Sequence, residues 1–507
     1  MLYSKTDPIK DYEELLREAI GQIPIYSEQW TNFNPSDPGI TILENLTAFQ
    51  VLQQRSIDKV SEKTQRNLLK LVGFQATENS ASKVPLQMPP NSGDITLPAH
   101  KKMQVGGMVF ETGKPIRLRD ANLRAIYRTE HNRLADVTPL LSHKLPMSVA
   151  PFGERCEVGN GLYFAFQQLP PVGKALTLYV QTEDRWQRNP WKEGEIPPFA
   201  VISWEVWTEI GWQSVKVLDK TGYFMQNGKI TLIMPDSPVT TGVPQVEGYV
   251  VRCVLAENHY DIPPQIHAIF DNVFEVRQKN TLAASFAKGG NRVTIRSAMV
   301  DDDLYQVFVR EEGEDCYRMY RNGGNTANPG RHFRVRQSKK GKLVLEFDKQ
   351  TYGYGPASGA DSVRVVCYTA QSVNWRNLGK VYGYDDQVID IANVAKIIPE
   401  HFQLLVEKEV KGQAPAYYFC QPNATAEDTL GYTVHSERGK IEIYNPGMGG
   451  VCNVYLADCA VTLGAEGNLR SGNVLTTTPT KESGEAPISF LSLGCGVGGT
   501  SYEDTKK

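Results

Sequence analysis

The spacing of apolar residues changes once along the chain, close to Ala76, and this change limits the folds that the sequence can adopt. Before Ala76 apolar residues recur every three to four positions, which is the period of a helix. After Ala76 short alternating runs, separated by Pro and Gly, predict strands. The sequence therefore predicts an α+β protein, with an N-terminal helical bundle segment followed by several mainly-β domains.

Two helices are predicted in the N-terminal segment, and each begins at an Asp-Pro pair. Asp7 and Asp37 can cap a first turn, where a following proline is tolerated because its missing N–H would have no partner. Apolar residues cover most of the circumference of the second helix, whereas a surface helix shows one stripe. This pattern indicates burial in a bundle, partly by another chain. A third, shorter helix is predicted from about Gln65 to Val72.

The β-rich part contains an internal repeat between residues 303 and 475. Residues 305–311 resemble residues 402–408, and residues 338–345 resemble residues 436–443, at separations of 97 and 98 positions. Such a recurrence predicts two tandem β-rich modules of similar structure. Five regions follow: a helical bundle segment 1–76, the β-rich middle domain or domains 77–275, a first module 276–385, a second module 386–480, and a Gly-rich tail 481–507 that is expected to add little to the core.

Composition argues against several classes of partner. Lys and Arg number 54 and Asp and Glu 57, so the net charge of −3 gives no overall attraction for nucleic acid. One basic run, residues 331–342, is interpreted as a solvated strand and turn. No apolar stretch approaches the ~18 residues of a membrane span, and the N-terminus lacks a signal core. We predict synthesis and assembly in the cytoplasm, no nucleic-acid partner and no stable membrane insertion.

Sequence patterns for catalysis or metal binding do not stand out. The eight histidines are dispersed, the eight cysteines form no CxxC pair, and HExxH, GxSxG and P-loop motifs do not occur. Residues 494–499 match GxGxxG, yet too few residues follow for the helix and second strand of a dinucleotide site, so a flexible turn is preferred. We expect no catalytic residue, no cofactor and no metal.

The most specific stretch is residues 30–44, WTNFNPSDPGITILE. It resembles the opening of the baseplate J-like wedge proteins of contractile phage tails and extracellular contractile injection systems, in which such a string leads into a long helix. Residues 93–99 and 109–112 are similar to a turn and strand of that family, with His100 where a Gly is usual. Residues 464–474, GAEGNLRSGNV, resemble the family pattern G-x-x-G-N-x-x-x-G-x-V.

The resemblance implies a mechanical role in a six-fold baseplate. Such wedge proteins join the central hub and spike, the sheath-initiating subunit and peripheral parts such as tail fibres, and they transmit the trigger for sheath contraction. The N-terminal helices would bundle with other wedge subunits, as a homo- or hetero-pair. The particle's baseplate would be the final location of the chain.

Two groups of residues are candidates on this basis. The predicted assembly interface consists of Trp30, Phe33, Asn34, Pro35, Ser36, Asp37, Pro38, Gly39, Ile42, Leu43, Leu46 and Phe49. The J-like motif consists of Gly464, Gly467, Asn468 and Gly472.

Two other functions stay open at this point. Trp204, Trp207 and Trp212 would serve a receptor- or glycan-binding tail protein if their rings formed a platform, although core packing is the preferred interpretation for Trp204. A cell-wall hydrolase is the second alternative, and no motif in the sequence favours it.

Overall fold

The computed structural model describes residues 11–27, 29–57, 78–89, 94–118, 123–130, 133–141, 147–169, 172–183, 199–235, 238–240, 243–324, 328–373, 376–382, 387–390, 396–409, 412–422, 430–435, 440–444, 451–478 and 486–501. The chain divides into an N-terminal unit, up to residue 77, and a β unit over residues 78–502. No helix in these ranges combines the length and the apolar character that crossing a membrane requires.

The N-terminal unit contains two helices that contact each other, α1 (Tyr12–Tyr26) and α2 (Pro38–Ile57). Asp11 caps α1, because its carboxylate accepts a hydrogen bond from the N–H of Glu14 at 2.9 Å. The prediction of a helical bundle is therefore wrong for the described residues, which form a helix pair. The cap predicted at Asp7 and the third helix predicted from about Gln65 lie outside the described residues.

The described part of the β unit is built from strands, with one short α-helix, α3 (Lys349–Tyr352), and two 3-10 helices, Ala298–Asp302 and Gly464–Gly467. The strands of its first half are β1 (Lys83–Gln87), β2 (Ile95–Leu97), β3 (Lys102–Val105), β4 (Met108–Thr112), β5 (Ile116–Leu118), β6 (Leu123–Glu130), β7 (Arg133–Asp136), β8 (Gly161–Phe166), β9 (Ala175–Thr182), β10 (Ala200–Thr208), β11 (Gly211–Ser214), β12 (Lys216–Asp219), β13 (Gly228–Ile233), β14 (Tyr249–Asn258), β15 (Ile266–Asp271) and β16 (Val273–Arg277). The strands of its second half are β17 (Asn280–Lys288), β18 (Arg292–Arg296), β19 (Tyr305–Arg310), β20 (Tyr317–Asn322), β21 (His332–Lys339), β22 (Lys342–Glu346), β23 (Val363–Tyr368), β24 (Asn377–Val381), β25 (Gln387–Asp390), β26 (Ile397–Lys408), β27 (Ala416–Phe419), β28 (Gln421–Pro422), β29 (Gly431–His435), β30 (Lys440–Tyr444), β31 (Cys452–Val461), β32 (Val474–Thr477) and β33 (Ser489–Ser492). The prediction of mainly-β domains after the helices is confirmed.

Two sheets pack face to face in the first half of the β unit. Their strand orders are β11-β10-β14-β8-β6-β7 and β12-β13-β9-β15. Strand residues alternate between the two faces of a sheet, so Leu178 and Ile230 of the smaller sheet meet Phe164 and Trp204 of the larger one in a shared core. The Trp204 ring stacks on Phe164 with centroids 5.8 Å apart.

A closed barrel joins strands from distant parts of the β unit, in the order β1-β16-β4-β3-β32-β33. β33 lies in the region predicted to be a Gly-rich tail that adds little to the core. That prediction is wrong for Phe490 and Leu493, which are buried. Phe490 contacts Phe274 edge to face, with centroids 5.0 Å apart, so the C-terminal strand completes the barrel core.

Similar strand orders recur along an eleven-stranded sheet and the four-stranded sheet β25-β30-β29-β28. The larger sheet runs β18-β22-β21-β20-β19-β23-β17-β31-β26-β27, and β24 pairs with β31. β19 lies between β20 and β23, as β26 lies between β27 and β31. Each of these two repeats of the strand order is accompanied by one parallel pair, β20–β21 and β28–β29, and the second strand of each pair continues into an antiparallel hairpin. The repeated sequence stretches thus occupy equivalent positions in the two repeats.

Candidate assembly interface on the second helix

The loop that precedes α2 is held by its own side chains. Asp37 caps the helix, because its Oδ1 accepts hydrogen bonds from the N–H groups of Gly39, at 2.9 Å, and Ile40, at 3.3 Å. The amide of Asn32 donates to Asp37 Oδ2 at 3.3 Å, and the N–H of Asp37 donates to the carbonyl of Asn34 at 2.9 Å. These bonds fix the direction in which α2 leaves the loop.

Trp30 explains why a glycine follows Pro38. A Cβ added to Gly39 would lie 2.3 Å from Trp30 Cζ2, much closer than two carbons can approach. The indole N–H of Trp30 donates to the carbonyl of Asn32 at 3.1 Å, which holds the ring in this position. The stretch from Trp30 to Gly39 is therefore a compact N-terminal clamp on α2.

The helix α2 has apolar side chains on two opposite faces. One face is buried and contains Ile40, Thr47 and Val51. The other face, here called the α2 stripe, consists of Ile42, Leu46, Phe49 and Leu52, each 60–65% exposed. At about 100° per residue the stripe spans roughly 120° of the helix, on the side away from the buried residues. The described residues of the N-terminal unit leave this face exposed.

The remaining residues predicted for the assembly interface fall at several places. Phe33, Asn34, Pro35, Ser36 and Pro38 are exposed around the clamp. Leu43 is half-buried and lies between the two faces of α2, so it is outside the stripe. Leu52, by contrast, belongs to the stripe and was missed, although its spacing from Phe49 is helical.

The J-like motif lies at a junction of three chain segments inside the β unit. Gly464 has a φ of +58°, and a Cβ there would lie 2.4 Å from Ser501 Oγ. Asn468 bonds both main-chain groups of Gly499: its Nδ2 donates to the carbonyl at 3.0 Å, and its Oδ1 accepts from the N–H at 3.1 Å. Gly472, at φ +79°, has open space around it. These contacts give the motif a structural role.

Two polar residues complete this junction and were not predicted. Gln278 is buried, and its Oε1 accepts hydrogen bonds from the N–H of Leu463 and the hydroxyl of Thr462, both at 2.8 Å. A Cβ on Gly467 would lie 2.5 Å from the same Oε1. Ser82 donates its hydroxyl to the carbonyl of Gly467 at 2.8 Å. Neither position carries a sequence signal, because each acts only through distant segments.

Two glycines of the 494–499 stretch, Gly496 and Gly499, lie at the same junction. A Cβ on Gly496 would lie 2.7 Å from the N of Leu469, and one on Gly499 would lie 2.5 Å from the carbonyl oxygen of Gly464. The main-chain N–H of Gly496 donates to the carbonyl of Leu469 at 2.6 Å. Close approach between backbones accounts for Gly496 and Gly499, whereas Gly498, at φ +80° with open space around it, has the conformation of a turn glycine.

The three tryptophans considered for glycan binding do not form an open platform. Trp204 is buried in the sandwich core. Trp207 and Trp212 meet edge to face at 5.1 Å, and the Arg252 guanidinium lies 3.9 Å from the centre of the Trp212 ring. Arg252 also pairs with Glu205 at 2.6 Å. A cation–π contact already occupies one face of Trp212, which disfavours sugar stacking there.

Ionisable side chains cluster where β4 and β17 approach. Both carboxylate oxygens of buried Glu111 accept hydrogen bonds from Thr281, from its N–H at 2.8 Å and its hydroxyl at 2.6 Å, and burial raises the pKa of Glu111. Lys279 is buried too, and its Nζ donates to His401 Nε2 at 3.4 Å. Burial, reinforced by the charge of Lys279, lowers the pKa of His401 to about 4.

Asp458 belongs to the same neighbourhood. Burial raises its pKa to about 7, although the charge of Lys279 opposes this shift.

Across the described ranges, no group of three His, Cys, Asp or Glu side chains is arranged to hold a metal ion. Seven of the eight cysteines are buried thiols, and Cys495 is exposed.

Comparisons with known proteins were made with family models, curated proteins and solved structures. No protein-family model matches the chain, and no curated protein matches it. Among solved structures, a chain of the TssK-TssF-TssG baseplate subcomplex of the type VI secretion system, determined by cryo-electron microscopy, is 12% identical, with 65% of this chain and 68% of that chain covered. The TM-score is 0.28, which does not establish a common fold, so no function is transferred from it.

Proposed function

We propose that this chain is a structural subunit of a baseplate-type particle, and that it joins neighbouring subunits through the α2 stripe. The observation that carries the proposal is the exposure of Ile42, Leu46, Phe49 and Leu52 on one face of a helix whose opposite face is already buried. Contiguous exposed apolar surface of this kind is typical of protein interfaces.

The energetic reason is the cost of leaving this face in water. Covering one Leu, Ile or Phe side chain completely contributes about 1.5–3 kcal/mol. Four such residues on one stripe therefore favour association and offset part of the entropy cost of docking. A helix of a neighbouring subunit is the simplest complement, because its own apolar positions repeat at the same 3.6-residue period.

The clamp before α2 suits a mechanical joint. Asp37 holds the first turn of the helix by hydrogen bonds, and the Trp30 ring, itself hydrogen-bonded, packs closely against Gly39. Because the loop and the helix start are joined by these contacts, force applied to the helix is transmitted directly to the loop. The resemblance of residues 30–44 to baseplate J-like proteins supports the finer proposal of a wedge that contacts the hub or spike, the sheath-initiating subunit and other wedge copies. We further propose that the chain is not an enzyme.

The test uses single charges on the α2 stripe in cells that produce the particle. Leu46→Glu and Phe49→Glu each place a carboxylate in the proposed contact, where it would lose water without gaining a partner. We expect each variant to stay folded and to be lost from sedimenting particles. Gln50→Glu is the matched control, because it adds the same charge at an exposed position beside the stripe and is expected to assemble normally.

Normal incorporation of both stripe variants would overturn the proposal. Circular dichroism of the purified variants separates loss of docking from loss of folding, because the helical signal is retained in the first case only.

A further inference from the structure

A cleft with a volume of about 930 Å³ opens on the β unit. Its floor is the outer face of the sheet formed by β12, β13 and β9. Strand residues alternate between faces, so Leu178 and Ile230 point into the sandwich core while Thr177, Tyr179 and Thr231 line the cleft. The opposite wall is formed by β5 with the turn before it, by β16, and by His401 at one end.

Positive charge dominates this cleft. The cationic residues that line it are Lys114, Arg117, Lys174, Lys220, Lys229, Arg277 and Lys279. The acidic lining is Glu275 alone. A chain with 54 basic and 57 acidic residues has no general excess of cations, so a ratio of seven to one is a local feature.

Most of these cations form no close ion pair among the described residues. Within the described ranges, no ion pair of 4.0 Å or less involves Lys114, Arg117, Lys174, Lys229 or Arg277. The basic run at residues 331–342 is different, because Arg331 pairs with Glu311 and Arg336 with Glu346, both at 2.6 Å. Among the described residues, the cleft therefore gathers several cations that form no such ion pair.

Mutual repulsion in the cleft is visible at Lys229. Its side chain is solvent-accessible but stands in a concave surface, where partial burial lowers its pKa, and the charges of Lys114 and Lys220 lower it further. Glu275 opposes this shift. A bound anion would relieve the repulsion and restore the ordinary affinity of Lys229 for its proton.

We propose that this cleft binds an acidic segment of a partner protein. Carboxylates of the segment would meet the lysines at the rim, and an apolar side chain would cover Leu218, which is 60% exposed, and half-buried Ile116. The volume lies at the upper end of the range of about 300–1,000 Å³ found for ligand pockets, which is enough for a short extended segment. The site goes beyond the proposed docking of α2 and uses none of its residues.

A protein segment fits the lining better than a nucleic acid does. Single-stranded nucleic acids are held by successive stacking on aromatic rings, whereas Tyr179 is the one partly exposed ring on this floor and Phe274 is buried. Exposed Leu218 and half-buried Ile116, beside the lysines, instead match the alternating acidic and apolar side chains of an extended peptide.

The experiment uses the full chain and a short fluorescent peptide of alternating Glu and Leu. Anisotropy should report binding that weakens as salt increases, because exposed charges are screened. The double variant Lys114→Glu, Lys229→Glu should weaken binding at least tenfold. The control Lys288→Glu, Lys380→Glu makes the same change in net charge at exposed positions outside the cleft, and should bind as the unmodified chain does.

Three results would overturn the proposal: no binding of the peptide, equal weakening by the two double variants, or cleft-dependent binding of a single-stranded oligonucleotide in place of the peptide. Far-ultraviolet circular dichroism of both variants shows that each remains folded. Leu46→Glu leaves the cleft intact, so peptide binding by that variant separates this site from the proposed docking of α2.

Discussion

The two units of this protein differ in the exposure of their large apolar side chains. In the β unit Phe490 is completely buried in the barrel, whereas in the N-terminal unit Phe49 is 65% exposed on the α2 stripe. The β unit pairs strands from both of its sequence ends to close its barrel, so the apolar core of the barrel is covered within the chain. The described part of the N-terminal unit has one helix pair, and the α2 stripe on it is exposed. This difference is the basis of the proposed docking through the α2 stripe.

The largest expected effect is the difference in unfolding free energy between two Phe→Ala variants, one in each unit. Phe490→Ala should lower the free energy of unfolding of the β unit by about 3–5 kcal/mol, because it removes a buried ring and leaves a cavity beside Phe274. Phe49→Ala should change stability by less than about 0.5 kcal/mol, since its ring is largely in water already. Urea unfolding followed by tryptophan fluorescence measures both. Equal losses for the two variants would remove the contrast between the units.

A smaller effect is expected at the clamp before α2. Gly39→Ala places a methyl group against the Trp30 ring and should destabilise the N-terminal unit by about 1–3 kcal/mol. Gly21→Ala is the control in α1, where nothing lies within 4 Å of the added carbon, and should instead stabilise the helix by about 0.5–1 kcal/mol. Thermal melting of the helical circular dichroism signal reports both changes.

A double variant sharpens this result. Trp30→Ala removes the ring that the new methyl group meets, so Gly39→Ala should cost less in that background. Equal costs in the two backgrounds would show that the contact between Trp30 and residue 39 does not hold the clamp.

The smallest effect is a pH dependence confined to the β unit. The pKa of Asp458 is raised to about 7 by burial, above its unfolded value, so its contribution to stability is complete below about pH 4 and is lost as pH rises through about 7. Asp458→Asn removes this loss. Relative to the unmodified chain, the variant should gain on the order of 1 kcal/mol between about pH 5 and pH 8. Glu209→Gln, at an exposed hairpin, is the control, and an equal gain there would contradict the role of burial.

Local features of the fold could be predicted from sequence, because the interactions behind them are local. The Asp37 cap, the helix that follows it and the equivalent strands at residues 305 and 402 all depend on neighbouring residues or on a short repeat. His100 is instructive, since it stands in place of a glycine at φ +56° and its Nδ1 lies 3.0 Å from the hydroxyl oxygen of Ser297. A side chain from a distant segment thus supports a turn that a glycine would adopt alone.

Long-range pairing explains what the sequence did not reveal. β33 joins β1 across more than 400 residues, with Leu86 opposite Ser492, so no local pattern distinguishes it from a tail. The cleft has the same origin, because its cations extend from Lys114 to Lys279 and come together only through the sheets. In the sequence, the basic run at residues 331–342 was the noticeable cluster of cations. In the structure, Arg331 forms an ion pair with Glu311, and Arg336 forms one with Glu346.

Photo-crosslinking from position 49 tests the central claim most directly. A photoreactive phenylalanine analogue at position 49 of the full chain, in assembled particles, should crosslink to another polypeptide at the α2 stripe. The same analogue at Ile210, an 82% exposed apolar residue on a β hairpin, should give no comparable product. Crosslinking to a neighbouring subunit from position 49 but not from position 210 is the predicted result. Absence of an intermolecular product at position 49 in intact particles would contradict the account.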